Sequence, residues 1–171
     1  DDSFCGNLGS QILEEPSPTG GTWFGLNVLD SQSGLYNTIQ PAGIYQVNYT
    51  YTDQTTQCAD TVIHDIEIYP VPDAQFGFDT LGCNNLVYPF TQLSNGASVY
   101  EWEFGNSATS EEPTPTYIYP DIGEYDVTLY ASNEWGCEDT TSALIEVTEL
   151  PVADFSLNTD LGCAPLFVSV S

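Results

Sequence analysis

Neither lysine nor arginine occurs in this chain, against 25 aspartates and glutamates, so the formal net charge is −25. A chain of this length ordinarily carries roughly 20 basic residues. Their absence excludes the electrostatic footprint of a nucleic-acid binder, and equally that of a protein drawn to an anionic membrane, because an acidic surface repels both. It also removes every salt bridge to lysine or arginine and every site for a trypsin-like protease. Carboxylates at this density call for screening by salt or divalent cations. Histidine occurs once, as His64. A lone imidazole, with no basic side chain to hold an oxyanion or phosphate, leaves no catalytic constellation to assemble, so no enzyme is expected. No cysteine pair has the Cys-x-x-Cys spacing of zinc ligands. No apolar run approaches the roughly 20 residues that span a bilayer, so no membrane insertion is expected. The chain opens at Asp1 without a signal peptide, which fits a processed or cropped product.

What is present is apolar and repeated. Hydrophobic residues make up 41% and aromatics 13%, enough to build real cores, so the acidity is not that of a disordered tail. Gly43, Tyr45, Val47 and Tyr49 return as Gly123, Tyr125, Val127 and Leu129 at an offset of 80. Cys58 and Cys137 repeat at 79, as do Trp23 and Trp102, and Pro72, Ala74 and Phe76 against Pro151, Ala153 and Phe155. Cys83 returns as Cys163 at 80. A period of this size fits one small all-β domain.

The period divides the chain into residues 1–70, 71–149 and 150–171. In the first domain Cys5 corresponds to Cys83, and nothing precedes it to match the strand at 73–78, so this domain is expected to lack its first strand. Gly43 to Tyr51 alternates apolar and polar residues with the period of a half-buried strand, and Asp60 to Tyr69 returns as its hairpin partner. Leu26 to Ile39 reads as irregular or short strands. Pro70 and Pro72 make a short stiff link, favouring domains held end to end. In the second domain strands are expected near 73–78, 86–92, 98–104, 114–119, 124–132 and 139–148, with no helical periodicity anywhere. Such spacing, punctuated by Gly, Pro and Asn, predicts an all-β, tandem sandwich architecture. Residues 150–171 begin a partial third module with two strands; alone it would leave open edges. Either the array continues or these strands complete a neighbouring subunit by strand addition.

Three separated motifs carry a resemblance. Trp102, Glu103, Phe104 and Gly105, then Pro115, Tyr117 and Tyr119, then Gly123, Tyr125, Val127 and Leu129 resemble the PKD domain, the polycystic-kidney-disease-type Ig-like β-sandwich. Glu103 and Asn106 stand at two positions that are acidic in the family pattern, and Thr116 or Tyr117 stands where the family often has histidine. The first domain, with Gly21, Thr22, Trp23 and Gly25, is similar to Ig-like repeats found beside PKD domains in very large bacterial surface proteins. Gly162 to Leu166 and Gly136 with Cys137 are similar to segments of adhesin-like and gliding-associated proteins. The resemblance implies a secreted, non-enzymatic structural or adhesive protein of a bacterial surface, able to form a filament. Its partners would be neighbouring copies or further repeats, with surface polysaccharide as another. The alternatives are a spacer or carbohydrate-binding region of a secreted hydrolase, and a calcium-dependent cohesion module.

Five cysteines at repeat-related places argue for an oxidising compartment. One pairing joins Cys5 to Cys58 and Cys83 to Cys137, closing loops of about 54 residues worth about 3–4 kcal/mol by loop-closure entropy. In an Ig-like topology those partners lie at opposite poles, beyond the ~7 Å limit on Cα separation. The other pairing joins Cys5 to Cys137 across the domain boundary. Both stay open, and in both Cys163 needs a partner elsewhere.

Trp23 and Trp102 fit core positions better than sugar-stacking platforms. No cofactor is expected, although Asp53, Asp73, Asp79, Asp121, Glu138, Asp139, Asp154 and Asp160 lie near turns and boundaries where calcium could be held. Asn48 opens the sole Asn-x-Thr sequon, inside a strand. Thr61, Thr80 and Thr140 each follow an aspartate, similar to the O-glycan acceptors of some surface-glycosylating bacteria.

Overall fold

The computed structural model describes residues 2–79 and 86–148, and every regular element among them is a β-strand. Thr80, Cys83, Cys163 and residues 150–171, for which the sequence raised expectations, lie outside the described residues.

The first module is built on the alternation in β6 (Gly43–Thr52), where Val47 and Tyr49 are buried while Gln46 and Asn48 face solvent. β6 pairs antiparallel with β7 (Ala59–Tyr69) over its whole length, from Gly43 opposite Ile68 to Thr52 opposite Ala59. On its other side lies β3 (Thr22–Phe24), with Trp23 opposite Tyr49. A second sheet holds β2 (Ser10–Ile12), β5 (Leu35–Asn37) and β4 (Val28–Asp30) in the order β2-β5-β4. Leu13, Trp23, Tyr36, Val47, Tyr49, Ile66 and Ile68 form the core between them.

The opening residues of this module form a strand, though not a counterpart of the one at 76–78. β1 (Asp2–Cys5) runs parallel to the end of β7, with Asp2 opposite Ile66 and Cys5 opposite Tyr69. It therefore extends the β7-β6-β3 sheet, whereas the strand at the front of the second module joins the opposite sheet. Four residues reading Asp-Ser-Phe-Cys carry too little alternation to reveal this placement in advance.

The second module repeats the plan. β13 (Gly123–Ser132) and β14 (Glu138–Val147) form a ten-position antiparallel ladder, and β10 (Val99–Glu103) and β11 (Thr109–Ser110) complete the sheet in the order β11-β10-β13-β14. The facing sheet is β12-β9-β8, from β12 (Thr116–Ile118), β9 (Val87–Gln92) and β8 (Phe76–Phe78). Strands expected near 86–92, 98–104, 124–132 and 139–148 occur within a residue or two of those bounds, as does most of that near 114–119; β11 is additional.

Trp102 is fully buried and its indole N–H donates to the Glu112 carbonyl at 2.9 Å. Around it sit Tyr88, Phe90, Phe104, Tyr119, Val127, Leu129, Ile145 and Val147. Gly105 ends the tryptophan strand with φ of 78°, and a Cβ there would stand 2.8 Å from the Asp126 backbone nitrogen. Only glycine accommodates both demands.

Candidate functional site, a stapled junction between modules

The second module turns from β13 to β14 through a hairpin, residues 133–137, and its construction is local. The Asn133 N–H donates to the Cys137 carbonyl at 3.1 Å. The Asn133 side-chain oxygen accepts from the N–H groups of Trp135 at 3.2 Å and Cys137 at 3.0 Å, the self-bonding that suits asparagine to turns. Gly136 takes φ of 75°. This leaves three groups facing the first module: the Asn133 amide, the Trp135 ring and the Cys137 sulfur.

Each finds a partner there. Cys137 is bonded to Cys5, with Cα atoms 5.5 Å apart and 132 positions between them in sequence. The Asn133 side-chain amide donates to the Pro70 carbonyl at 2.7 Å. Trp135 stacks on Tyr69, centroids 5.7 Å apart and planes 16° from parallel. Reciprocally, the Asn7 side-chain amide donates to the Glu138 carbonyl at 3.2 Å. Asp139 accepts from the Ala74 N–H at 2.8 Å, tying the linker to the same hairpin.

Of the two disulfide pairings the sequence left open, the structure contains the one that crosses the boundary. The reason is distance. Cys5 lies beside Tyr69 at the end of β7, whereas Cys58 precedes Ala59 at its start. A strand of this length spans about 35 Å at roughly 3.3 Å per residue, so an internal Cys5 to Cys58 bond cannot form without unfolding the sheet. Cys58 is instead a free, exposed cysteine.

Trp23 and Trp102, at 1% and 0% exposure, are core residues and not sugar platforms. Thr61 and Thr140 are exposed at corresponding places on β7 and β14, and Asn48 is exposed on β6. Among the described residues no three His, Cys, Asp or Glu side chains converge as metal ligands. Several of the acidic residues near turns are occupied in local bonding. Asp53 caps its own turn, the N–H groups of Thr56 and Thr55 holding its carboxyl below the usual range, and Asp139 binds Ala74. His64 meets Asp2 at 2.9 Å and lies edge-on to Trp23.

Asn106 and Tyr117 answer one another. The Asn106 amide donates to the Tyr117 hydroxyl at 3.0 Å, and that hydroxyl donates to the Asn106 carbonyl oxygen at 3.2 Å. Tyr117 also stacks on Phe104, centroids 4.2 Å apart. This corner of the second module is thus closed by its own side chains.

Sequence reasoning did not single out Asn7, Tyr69, Asn133 or Trp135. An exposed tryptophan beside a hairpin cysteine was the available signal, since a single sandwich has no use for it.

Comparison with known proteins agrees for part of the chain. Residues 70–148 match the family described as PKD domain. A stretch of 77 residues is 36% identical to the pre-pro-metalloprotease PrtV of Vibrio cholerae serotype O1, covering 44% of this chain and 8% of that protein. Among solved structures, the PKD1 domain of the same Vibrio cholerae metalloprotease aligns at 32% identity, with a TM-score of 0.43, over 46% of this chain and 99% of that one. The PKD1 domain of Vibrio anguillarum Epp aligns at 32% identity and a TM-score of 0.42, over 47% of this chain and 96% of that one.

Proposed function

With residues 70–148 matching the PKD-domain family, we propose that this chain is a non-catalytic, extracellular structural segment of a bacterial surface protein, in which sandwich modules are joined at fixed angles to present or space what lies beyond them. The observation that carries the reading is the Cys5–Cys137 bond between modules. A disulfide persists in oxidising surroundings, and this one stabilises neither core directly. It restricts how the two modules are oriented, a property useful to a spacer or an adhesive stalk and of no evident use to an isolated binding domain.

Adhesion and filament formation are the finer part of the proposal, supported by the repeated cores and by an acidic surface that keeps such a chain soluble at high local density. The partners we propose are further modules of the same repeat. Small-angle scattering tests the central claim: the oxidised chain should fit one fixed two-module arrangement, and reduction should broaden it. A chain equally flexible in both states would remove the structural reading. Localisation is tested by proteinase K treatment of intact cells, trypsin being uninformative for a chain without its cleavage sites.

A second reading has its own support. The curated relative is a metalloprotease precursor of which the matched stretch is 8%, so this segment could equally serve as the spacer of a secreted hydrolase. The coding sequence on either side separates the two, since further repeats favour the surface array and a hydrolase domain favours the spacer.

A further inference from the structure

The hairpin that receives Cys5 has a counterpart in the first module, residues 52–59, and the two share their construction. Thr52 stands opposite Ala59 as Ser132 stands opposite Glu138. The Asp53 N–H donates to the Cys58 carbonyl at 2.9 Å, matching Asn133 to Cys137 at 3.1 Å. The Asp53 carboxylate accepts from the N–H groups of Thr55 at 2.8 Å and Thr56 at 2.7 Å, where the Asn133 oxygen accepts from Trp135 and Cys137, the first-module hairpin being one residue longer. The residue before each cysteine is left-handed, Gln57 at 59° and Gly136 at 75°. Glutamine is disfavoured in that region, so the backbone form is kept against residue preference. One hairpin is docked and covalently bonded; the other presents a free, exposed cysteine.

We infer that the Cys58 hairpin is a docking and disulfide site for another module of the same repeat, one bearing a cysteine in the place of Cys5. The Cys5–Cys137 bond is the internal example that identifies the occupant: a cysteine closing a short strand beside the module's last strand, with asparagine two residues on, as in Cys5-Gly6-Asn7. The sequence repeats the Cys-x-Asn spacing at Cys83-Asn84-Asn85. The resulting rule is directional, because each hairpin cysteine joins the strand-end cysteine of the module before it. This inference rests on the repeat reading given above.

Bond formation removes two electrons and two protons from the thiol pair, and the oxidant it requires is a disulfide of the extracellular medium. The Cys58 thiolate displaces one thiol from that disulfide to give a mixed disulfide. The partner cysteine's thiolate then displaces the second, so one protein disulfide forms and the oxidant leaves as two thiols.

The test is peptide mapping of the secreted native protein without reduction, using glutamyl endopeptidase and chymotrypsin, on material from cells grown in normal and in heavy-nitrogen medium and mixed before secretion ends. The expected product is a Cys58 peptide cross-linked to a strand-end cysteine peptide of another module. Mixed labelling assigns that module to a second copy, and uniform labelling together with a partner sequence other than residues 1–171 assigns it to the same chain. A free Cys58 thiol, a Cys58 to Cys58 dimer, or a uniformly labelled Cys58 to Cys83 link overturns the inference. Cys58→Ser should abolish the cross-link and leave Cys5–Cys137 in place. Loss of Cys5–Cys137 from the native map would instead strike the stapled-array reading itself, which keeps the two failures distinct.

Discussion

Tyr69 of the first sandwich lies flat against Trp135 of the second, ring centroids 5.7 Å apart. Neither belongs to a core, and their contact helps to hold Cys5 and Cys137 where they can bond. An aromatic pair contributes about 1 kcal/mol, which corresponds to about a five-fold change in an equilibrium constant. Trp135→Ala should therefore lower the equilibrium constant of the Cys5–Cys137 disulfide against glutathione by about that factor, measured by quantitative thiol trapping. Trp135→Phe should recover most of it. An unchanged equilibrium in the alanine variant would show that the rings contribute nothing to the junction.

Removing the staple should separate orientation from folding. The cores gather around Trp23 and Trp102 and include neither Cys5 nor Cys137 among their members. In Cys5→Ser the buried Trp23 and Trp102 should keep their emission, with only the contribution of the junction ring Trp135 changing, while the scattering profile shows a wider spread of inter-module angles. Collapse of either core in this variant would mean that the junction is part of the fold.

The two cores should also fail independently. Trp102→Ala removes a fully buried ring and strands the Glu112 carbonyl, at a cost of about 3–5 kcal/mol. Denaturant titration should then show two transitions, the second module unfolding first and the first module near its original midpoint.

Position 105 should be intolerant in a way position 96 is not. Both glycines have positive φ, 78° at Gly105 and 76° at Gly96, but an added Cβ meets backbone at 2.8 Å in the former and only at 3.7 Å in the latter. Gly96→Ala should cost about 1 kcal/mol, the conformational penalty alone. Gly105→Ala should cost clearly more, as read from paired urea midpoints.

Much of this fold can be read from residue spacing because its strands are long where they matter. Alternation over Gly43–Thr52 and Gly123–Ser132 marks both central strands, and an offset of 79, one less than theirs, relates Trp23 to Trp102. Short elements are different. Two residues at Thr109–Ser110 and four at Asp2–Cys5 carry no usable period, so β11 and the parallel seat of β1 emerge only from three-dimensional contacts. The junction was half legible. Cysteine positions narrow the pairing to two schemes, but choosing between them needs the separation of the ends of β7, which connectivity alone does not supply. Nor does a sequence declare that Asn106 will bond Tyr117, since their meeting depends on how the turn after β10 folds toward β12.

Alkaline pH should weaken the second module. Burial pushes the Tyr119 hydroxyl well above the usual tyrosine range, and that hydroxyl has no hydrogen-bond partner among the described residues. Its folded-state pKa lies above its unfolded one, so the associated stability is intact below about pH 10 and declines as pH rises beyond it, where only the unfolded chain releases the proton. Tyr119→Phe should flatten that decline and leave neutral-pH stability unchanged or slightly raised, followed by thermal melts from pH 8 to 11. An equally steep decline in the variant would assign it to other groups.

The bond between Cys5 and Cys137 also determines where tension would travel. A pull applied before β1 and after β14 passes from Cys5 directly into Cys137, so the residues between them, most of both sandwiches, carry none of the load. Only the short β1 and the outer strand β14 lie on the force-bearing path. Stretching can peel those two strands, but it cannot pay out the enclosed chain until the disulfide is reduced, so the segment behaves as a tether of nearly fixed maximum length.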